Sequence, residues 1–126
     1  MKSEQTGMKL RDFAMKYPEA HEDFPWGERT IKVKKKAFIF MRWDEKELSF
    51  SVKLPKSRDL ALDTGFAEPT HYGLGQHGWV TVKVTSKTKI PFDVLTSWVD
   101  ESYRAVAPKT LVKNLDVGQA SAPQVS

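Results

Sequence analysis

Three apolar stretches joined by very short connections constrain the fold of this chain more than any other feature. Residues 37–43 are almost continuously apolar, and apolar and polar side chains alternate over residues 48–54. A shorter alternation surrounds Ile31 and Val33. A period of two is typical of strands with one buried face, and the turns are too short for parallel crossovers. The sequence therefore predicts a three-stranded antiparallel meander, with residues 37–43 central or covered on both faces.

Helical periods flank this meander. An apolar face at i, i+3, i+4 and i+7 predicts a helix over residues 7–17, which Pro18 ends because it has no amide hydrogen. A longer helix is predicted over residues 92–106 from one stripe of buried positions. That stripe consists of Val94, Leu95, Trp98, Ser102, Tyr103 and Val106. Residues 110–115 are expected to add a last helical turn after Pro108.

The segments between these elements have weaker patterns. Residues 20–27 contain helix and strand breakers without a period, which predicts a loop. Ser57 is placed to cap a short helix reaching residue 63, in which Leu60 would face inward. Residues 65–78, which contain several glycines and two histidines, have no assigned conformation.

Alternating valines predict a further strand over residues 79–85. The order is then helix, three strands, short helix, one or two strands and a long C-terminal helix. An antiparallel sheet covered on one face by helices is the economical packing of that order, which predicts a two-layer α+β fold. We expect one domain over residues 8–115, between a flexible N-terminus of residues 1–7 and a disordered tail of residues 116–126.

Composition excludes several classes of protein. A chain of 126 residues is long enough for one stable core. It contains no cysteine, which excludes disulfides, thiolate catalysis and cysteine-based metal sites. No apolar run approaches the ~18 residues of a membrane span, and residues 1–7 do not resemble a signal peptide. These features favour a soluble cytoplasmic protein without a membrane partner.

Several short motifs, in their order and spacing, resemble the MmcQ/YjbR family of small bacterial domains. The first motif is His21 with Phe24-Pro25-Trp26-Gly27-Glu28, in which Trp26 stands where the family usually has Phe. The others are Lys32-Val33 with Lys36-Ala37-Phe38, then Gly78-Trp79-Val80, and finally Ser102-Tyr103 with Pro108. The resemblance implies a YjbR/CyaY-like two-layer fold with an antiparallel sheet. It also implies a shape similar to proteins with a double-wing DNA-binding motif. No catalytic residue set comes with the family, so none is assigned.

The positive charge of the chain is regional. Residues 28–58 hold ten Lys/Arg and four Asp/Glu, a net +6, whereas the whole chain carries +4. Clusters of this kind neutralise phosphates, although lysines on strands also serve to prevent edge pairing. Lys32 and Lys34 are expected to share one strand face. The predicted nucleic-acid contacts are Arg29, Lys32, Lys34, Lys35, Lys36 and Lys53.

Histidines and glycines offer weaker candidates. The spacing of His71 and His77 matches no zinc motif, so no metal site is predicted. His21 lies near acidic residues, but packing beside the following turn is the preferred interpretation over acid–base chemistry. Glycines at 73, 75 and 78 match a dinucleotide-binding spacing, yet this segment runs into a strand rather than opening a helix.

Together these observations favour a non-enzymatic binding protein with no cofactor and with DNA as the leading partner. One alternative is an adaptor that binds another protein through an exposed apolar patch. Another is a small-ligand or enzymatic pocket where the loops around residues 25–28 and 71–79 would converge. Its predicted lining is His21, Trp26, Glu28, His71, Tyr72, His77 and Trp79.

Overall fold

Antiparallel pairing joins the strands of this protein into one sheet, covered on one face by helices. The structure is a computed structural model that describes residues 3–24, 28–71 and 73–116. The strands are β1 (Ala20–Asp23), β2 (Arg29–Val33), β3 (Lys36–Trp43), β4 (Leu48–Lys53), β5 (Ala67–Pro69) and β6 (Trp79–Val84). The helices are α1 (Ser3–Met15), α2 (Arg58–Asp63), α3 (Phe92–Val106) and α4 (Lys109–Asp116), with a short 3-10 helix at Leu74–His77.

The sheet order is β1-β2-β3-β4-β6-β5, and every pair is antiparallel. The two-layer α+β fold is therefore confirmed, as is the meander, which forms β2, β3 and β4. The predicted loop over residues 20–27 is wrong for Ala20–Asp23, which pair with β2 as an edge strand. These four residues include two carboxylates and a histidine, so no apolar period marks the strand. Pro25, Trp26 and Gly27 lie outside the described residues.

A β-bulge at Phe38 interrupts the pairing of β2 with β3. Ile31 lies opposite Ile39 and Lys32 opposite Ala37, so Phe38 has no partner. Phe38 and Ile39 are both fully buried, which explains why the apolar run of β3 is continuous. The extra residue reverses the alternation of side chains between the two faces of the sheet. Residues of β3 before Phe38 therefore point to the face opposite to the one they would have in a regular strand.

The aromatic part of the core lies where α1 and α3 cross the bulge. Phe38 contacts the rings of Tyr17 and Tyr103, with centroids 6.2 Å and 5.2 Å away. The two tyrosine rings lie 4.5 Å apart. The bounds predicted for α3 are confirmed, and its buried face consists of Leu95, Thr96, Trp98, Val99, Ser102 and Tyr103.

Ser102 connects α3 to the sheet by two hydrogen bonds. Its buried hydroxyl donates to the carbonyl of Phe38 at 2.5 Å and accepts from the amide of Lys53 at 2.8 Å. The neighbouring Tyr103 hydroxyl donates to the carbonyl of Pro18 at 2.9 Å. The Ser-Tyr pair therefore stabilises the fold by satisfying backbone groups that the bulge and the strand ends leave unpaired.

The first helix begins earlier than predicted. It spans Ser3–Met15 rather than residues 7–17, and Ser3, Thr6 and Gly7 are buried. Residues 3–7 are therefore helical, which corrects the expectation of a flexible N-terminus. The polar sequence of these residues gives no sign that they pack against the sheet. Gly7 nevertheless lies directly against Trp43, and a Cβ at Gly7 would fall 2.5 Å from the Trp43 ring.

Two other expectations need correction. Leu60 is 71% exposed, and Ala61 is instead the buried residue of α2. Ser57 does not cap α2 with its side chain; its amide and hydroxyl donate to the Glu101 carboxylate on α3. The last helix extends to Asp116, and the rest of the predicted tail, residues 117–126, lies outside the described residues.

We predict that Gly7→Ala destabilises the protein, although alanine is the better helix former by about 1 kcal/mol. Overpacking against the Trp43 ring costs about 1–3 kcal/mol and outweighs that gain. Chemical denaturation measures the difference, with Gln5→Ala on the exposed side of the same helix as a control of near-zero effect. A stabilised Gly7→Ala protein would contradict the close approach of α1.

We predict that Ser102→Ala lowers the free energy of unfolding by about 1–3 kcal/mol, because it removes the side-chain partner of the buried Phe38 carbonyl and of the part-buried Lys53 amide. Ser97→Ala is the matched control on the same helix, since the exposed Ser97 hydroxyl bonds only within α3, to Val94. Its expected effect lies within about 0.5 kcal/mol. Equal effects of the two substitutions would show that Ser102 does not join α3 to the sheet.

Candidate nucleic-acid interface

A groove runs between the β2–β3 turn and the junction of α3 with α4. The turn is tight because Lys34 adopts a left-handed conformation with φ of 57°. The helix junction exists because Pro108 cannot continue α3, and Ala107 before it is extended, with ψ of 151°. Helix α4 then restarts, with the amides of Leu111 and Val112 donating to the Pro108 carbonyl.

The groove has a volume of about 1000 Å³, and the described residues that line it are cations and apolar groups, none of them acidic. Its apolar floor consists of Val33, Ala105, Val106, Ala107, Pro108 and Val112. Its cationic walls consist of Lys34, Lys35 and Lys36 from the hairpin and Arg104, Lys109 and Lys113 from the helices. We call this surface the basic groove.

Two of these cations have defined acidic partners. Lys34 pairs with Glu19 at 2.7 Å, and Arg104 pairs with Asp100 at 2.9 Å. Asp100 also accepts a hydrogen bond from Tyr17. Burial, followed by this bond to Asp100, raises the pKa of Tyr17 well above its ordinary value of 10, so the hydroxyl stays a donor. The Lys34 pair and the Tyr17 bond join different parts of the chain, whereas the Arg104 pair lies within α3.

The other four cations of the basic groove are exposed. Among the ion pairs between described residues, none involves Lys35, Lys36, Lys109 or Lys113. Four ammonium groups therefore face solvent around one concavity. Such an arrangement attracts polyanions, because phosphate contacts release the counterions of a charged backbone.

The structure separates the six residues that the sequence singled out as nucleic-acid contacts. Lys34, Lys35 and Lys36 line the basic groove. The prediction that Lys32 and Lys34 share a strand face is wrong, because β2 ends at Val33 and Lys34 lies in the turn. Lys32 lies opposite Ala37, before the bulge, and therefore on the side of the sheet away from Val33 and the helices. It pairs there with Asp23 on β1 at 3.0 Å.

Arg29 and Lys53 also lie elsewhere. The Arg29 guanidinium sits over the rings of Phe24 and Trp43, 5.0 Å and 4.6 Å from their centroids, and pairs with Glu22. Lys53 ends β4, opposite Trp79 of β6. Neither residue lines the basic groove.

Sequence reasoning missed Arg104, Lys109 and Lys113. Lys109 and Lys113 are four residues apart, the spacing that places two side chains on one side of a helix, so a local signal existed. What no local pattern shows is that this helix lies beside the β2–β3 turn. The second wall of the basic groove therefore depends on tertiary structure.

The residues of the alternative pocket lie on strands that are far apart in the sheet. His21 is exposed on β1, whereas Trp79 is buried on β6, where its ring lies 5.4 Å from that of Phe40. Four strand spacings separate β1 from β6, roughly 19 Å at ~4.8 Å each. His21 and Trp79 therefore do not line one pocket.

The remaining members of that set are dispersed as well. Glu28 is exposed before β2, and His71 lies 3.8 Å from Glu68. His77 lines a separate cavity of about 480 Å³ with Leu54, Pro55, Arg58 and residues 75, 76 and 78. Trp26 and Tyr72 lie outside the described residues. Within the described ranges, no three His, Asp or Glu residues are grouped as metal ligands would be.

Glu22 on β1 joins three elements through two arginines. Its carboxylate accepts hydrogen bonds from Arg11 of α1, at 2.9 Å and 3.2 Å, and from Arg29 of β2. These bonds, the one with Arg11 foremost, lower the pKa of Glu22 below its ordinary value of 4.5. The strand that sequence analysis missed thus neutralises part of the basic run.

We predict that Glu22→Gln lowers the free energy of unfolding by about 1–2 kcal/mol at pH 7, because it weakens charge-assisted hydrogen bonds. Because the pKa of Glu22 is lower in the folded state than in the unfolded state, its ionised carboxylate stabilises the protein fully at pH values above the unfolded pKa. That stabilisation is lost as the pH falls through the folded pKa. The difference between wild type and variant should therefore shrink below about pH 4.5, the ordinary pKa. Urea denaturation from pH 7 to pH 3 measures it, and a constant difference would contradict the mechanism.

No helix among the described residues combines the length and apolarity needed to cross a membrane. No curated protein matches the chain. A solved structure, the crystal structure of Deinococcus radiodurans protein DR2400 with the family-model domain DUF419, is 24% identical. The similarity covers 87% of each chain, with a TM-score of 0.68, so the two proteins share a fold. The YjbR family model matches residues 15–105, and the chain therefore belongs to the YjbR family.

Proposed function

We propose that this protein is a non-enzymatic nucleic-acid-binding protein and that the basic groove is its contact surface. One observation carries the proposal: two segments far apart in sequence, residues 34–36 and 104–113, place six cations around one concavity, and four of these have no acidic partner among the described ion pairs. Phosphate contacts supply most of the affinity in sequence-independent binding of nucleic acids.

The distribution of acidic partners supports the choice of this surface over the rest of the basic run. Arg29 and Lys32 pair with Glu22 and Asp23 on β1. An internal carboxylate at 3 Å competes with a phosphate for the same donor, so these two residues contribute less to binding a polyanion. Lys35 and Lys36, and their counterparts Lys109 and Lys113, have no such competitor among the ion pairs described above.

The two alternative functions find less support. The large apolar side chains most exposed among described residues are Met8, Phe24 and Leu60, and they lie on α1, after β1 and on α2. Single exposed apolar residues on separate elements are ordinary on a protein surface, so they do not favour an adaptor. The separation of His21 from residues 71–79 argues against the enzymatic pocket.

We predict that a fluorescently labelled oligonucleotide binds with a micromolar dissociation constant at about 50 mM salt, the upper end of non-specific affinity. Each phosphate contact contributes roughly −0.7 to −0.9 to the slope of log K against log salt, so four contacts give a slope of about −3. The quadruple variant Lys35→Glu, Lys36→Glu, Lys109→Glu and Lys113→Glu should lose at least tenfold in affinity. Fluorescence anisotropy across a salt series measures both quantities.

The chain offers a matched control for net charge. Reversing Lys9, Lys46, Lys87 and Lys89, which are exposed and do not line the basic groove, also changes the net charge from +4 to −4. That control should bind within about threefold of wild type at 150 mM salt, where distant exposed charges are screened. Equal losses in both variants would overturn the groove as the interface, and no binding by wild type at low salt would overturn the function.

A finer comparison uses the hairpin itself. Lys32 and Lys36 are both on the β2–β3 hairpin, but only Lys36 lines the basic groove. Lys36→Glu should therefore weaken binding several-fold more than Lys32→Glu.

A further inference from the structure

We propose that the basic groove takes a single strand of nucleic acid, with unpaired bases against its apolar floor, rather than a duplex. The inference rests on the proposed function and names the ligand class of the same site. It depends on the composition of the floor, on the size of the concavity and on how the hairpin tip is held.

The floor is an apolar surface that a duplex would not use. Six of the twelve lining residues are apolar, and Val106 and Val112 on it are only half-buried. A duplex presents sugars and phosphates outward and keeps the faces of its bases stacked. It would contact the cationic walls and leave the floor in water. A single strand can splay its bases, so that a base covers the floor while its phosphates reach the walls.

The size of the concavity leads to the same ligand. About 1000 Å³ lies at the top of the range for small-molecule pockets, roughly 300–1,000 Å³, which leaves room for nucleotides. A protein that reads the bases of a duplex inserts a protruding helix or strand pair into a major groove ~12 Å wide. The groove is concave where such a contact needs a convex element.

The tip of the β2–β3 hairpin contacts the α1–β1 turn and does not protrude freely from this surface. Lys34 in its tip pairs with Glu19 in the α1–β1 turn at 2.7 Å. Both residues have positive φ, 57° and 60°, so two tight turns lie side by side. The tip is therefore tied to the body of the protein and forms one wall of the groove.

The lining also predicts how selective the binding is. Among the part of the chain that the structure describes, no aromatic ring and no Ser, Thr, Asn or Gln side chain lines the groove. Without rings to stack on bases, affinity should be modest, and without neutral hydrogen-bonding side chains the 2′-hydroxyl should go unrecognised. DNA and RNA strands of one sequence are thus expected to bind within a few-fold of each other.

We test the inference with four probes of equal length at one salt concentration: a thymidine DNA strand, its RNA counterpart, a mixed-sequence duplex and an abasic DNA strand. The duplex supplies more phosphates, and the abasic strand supplies phosphates without bases. We expect the thymidine strand to bind at least fivefold more tightly than the duplex and the abasic strand. Binding of the duplex or the abasic strand as tight as that of the thymidine strand would overturn the inference.

Floor variants separate the base contacts from the fold. Val112→Tyr adds a ring on which bases can stack and should increase affinity for the thymidine strand several-fold while leaving the abasic strand unchanged. Val112→Ser should lower the affinity for the thymidine strand and leave the affinity for the abasic strand unchanged. Far-ultraviolet circular dichroism checks that each variant is folded, and an unchanged preference in a folded Val112→Tyr protein would count against the inference.

The outcomes also distinguish this inference from the proposed function. Binding of all four probes with equal affinity, lost on reversal of the groove lysines, would retain the proposed function and overturn the single-strand inference. Failure of all four probes to bind would overturn both.

Discussion

The two hydrogen bonds of the Ser102 hydroxyl are the interaction on which the rest of the arrangement depends. They hold α3 against the bulged carbonyl of Phe38 and the last amide of β4. The bulge reverses the alternation of faces along β3, so Lys36 points toward the helices, on the same side as its partner Val33. In a strand without the bulge, Lys36 would point to the opposite face of the sheet and would not line the basic groove.

Electrostatics divides the basic run into two parts with different roles. Glu22 and Asp23 on β1 pair with Arg29 and Lys32, so these cations stabilise the sheet edge. Residues 34–36 lie at the β2–β3 turn and line the basic groove together with a second basic segment on α4. A local excess of lysine is therefore a poor guide to a binding surface until the carboxylates that lie beside it in the fold are known.

The family and the proposed site cover different parts of the chain. The family model matches residues 15–105, which include the sheet, most of α3 and the Ser-Tyr pair that joins them. Lys109 and Lys113 lie beyond the matched residues, on the helix that begins after Pro108. Ser102 and Tyr103, which lie within the matched residues, make hydrogen bonds to backbone groups that stabilise the fold. A common fold does not determine function, and the proposed binding depends on the charges of this chain.

Local pattern alone determined the meander, the long helix α3 and the two-layer class, because periods of two and 3.6 record which face of an element is buried. It also identified Lys34, Lys35 and Lys36. The tertiary structure decided the rest. Strand β1 is held by pairing and ion pairs rather than by apolar residues, the start of α1 depends on Gly7 fitting against Trp43, and the bulge turns Lys36 away from the face of Lys32. The groove unites residues 34–36 with residues 104–113, and contacts across so long a stretch of chain leave no period in the sequence.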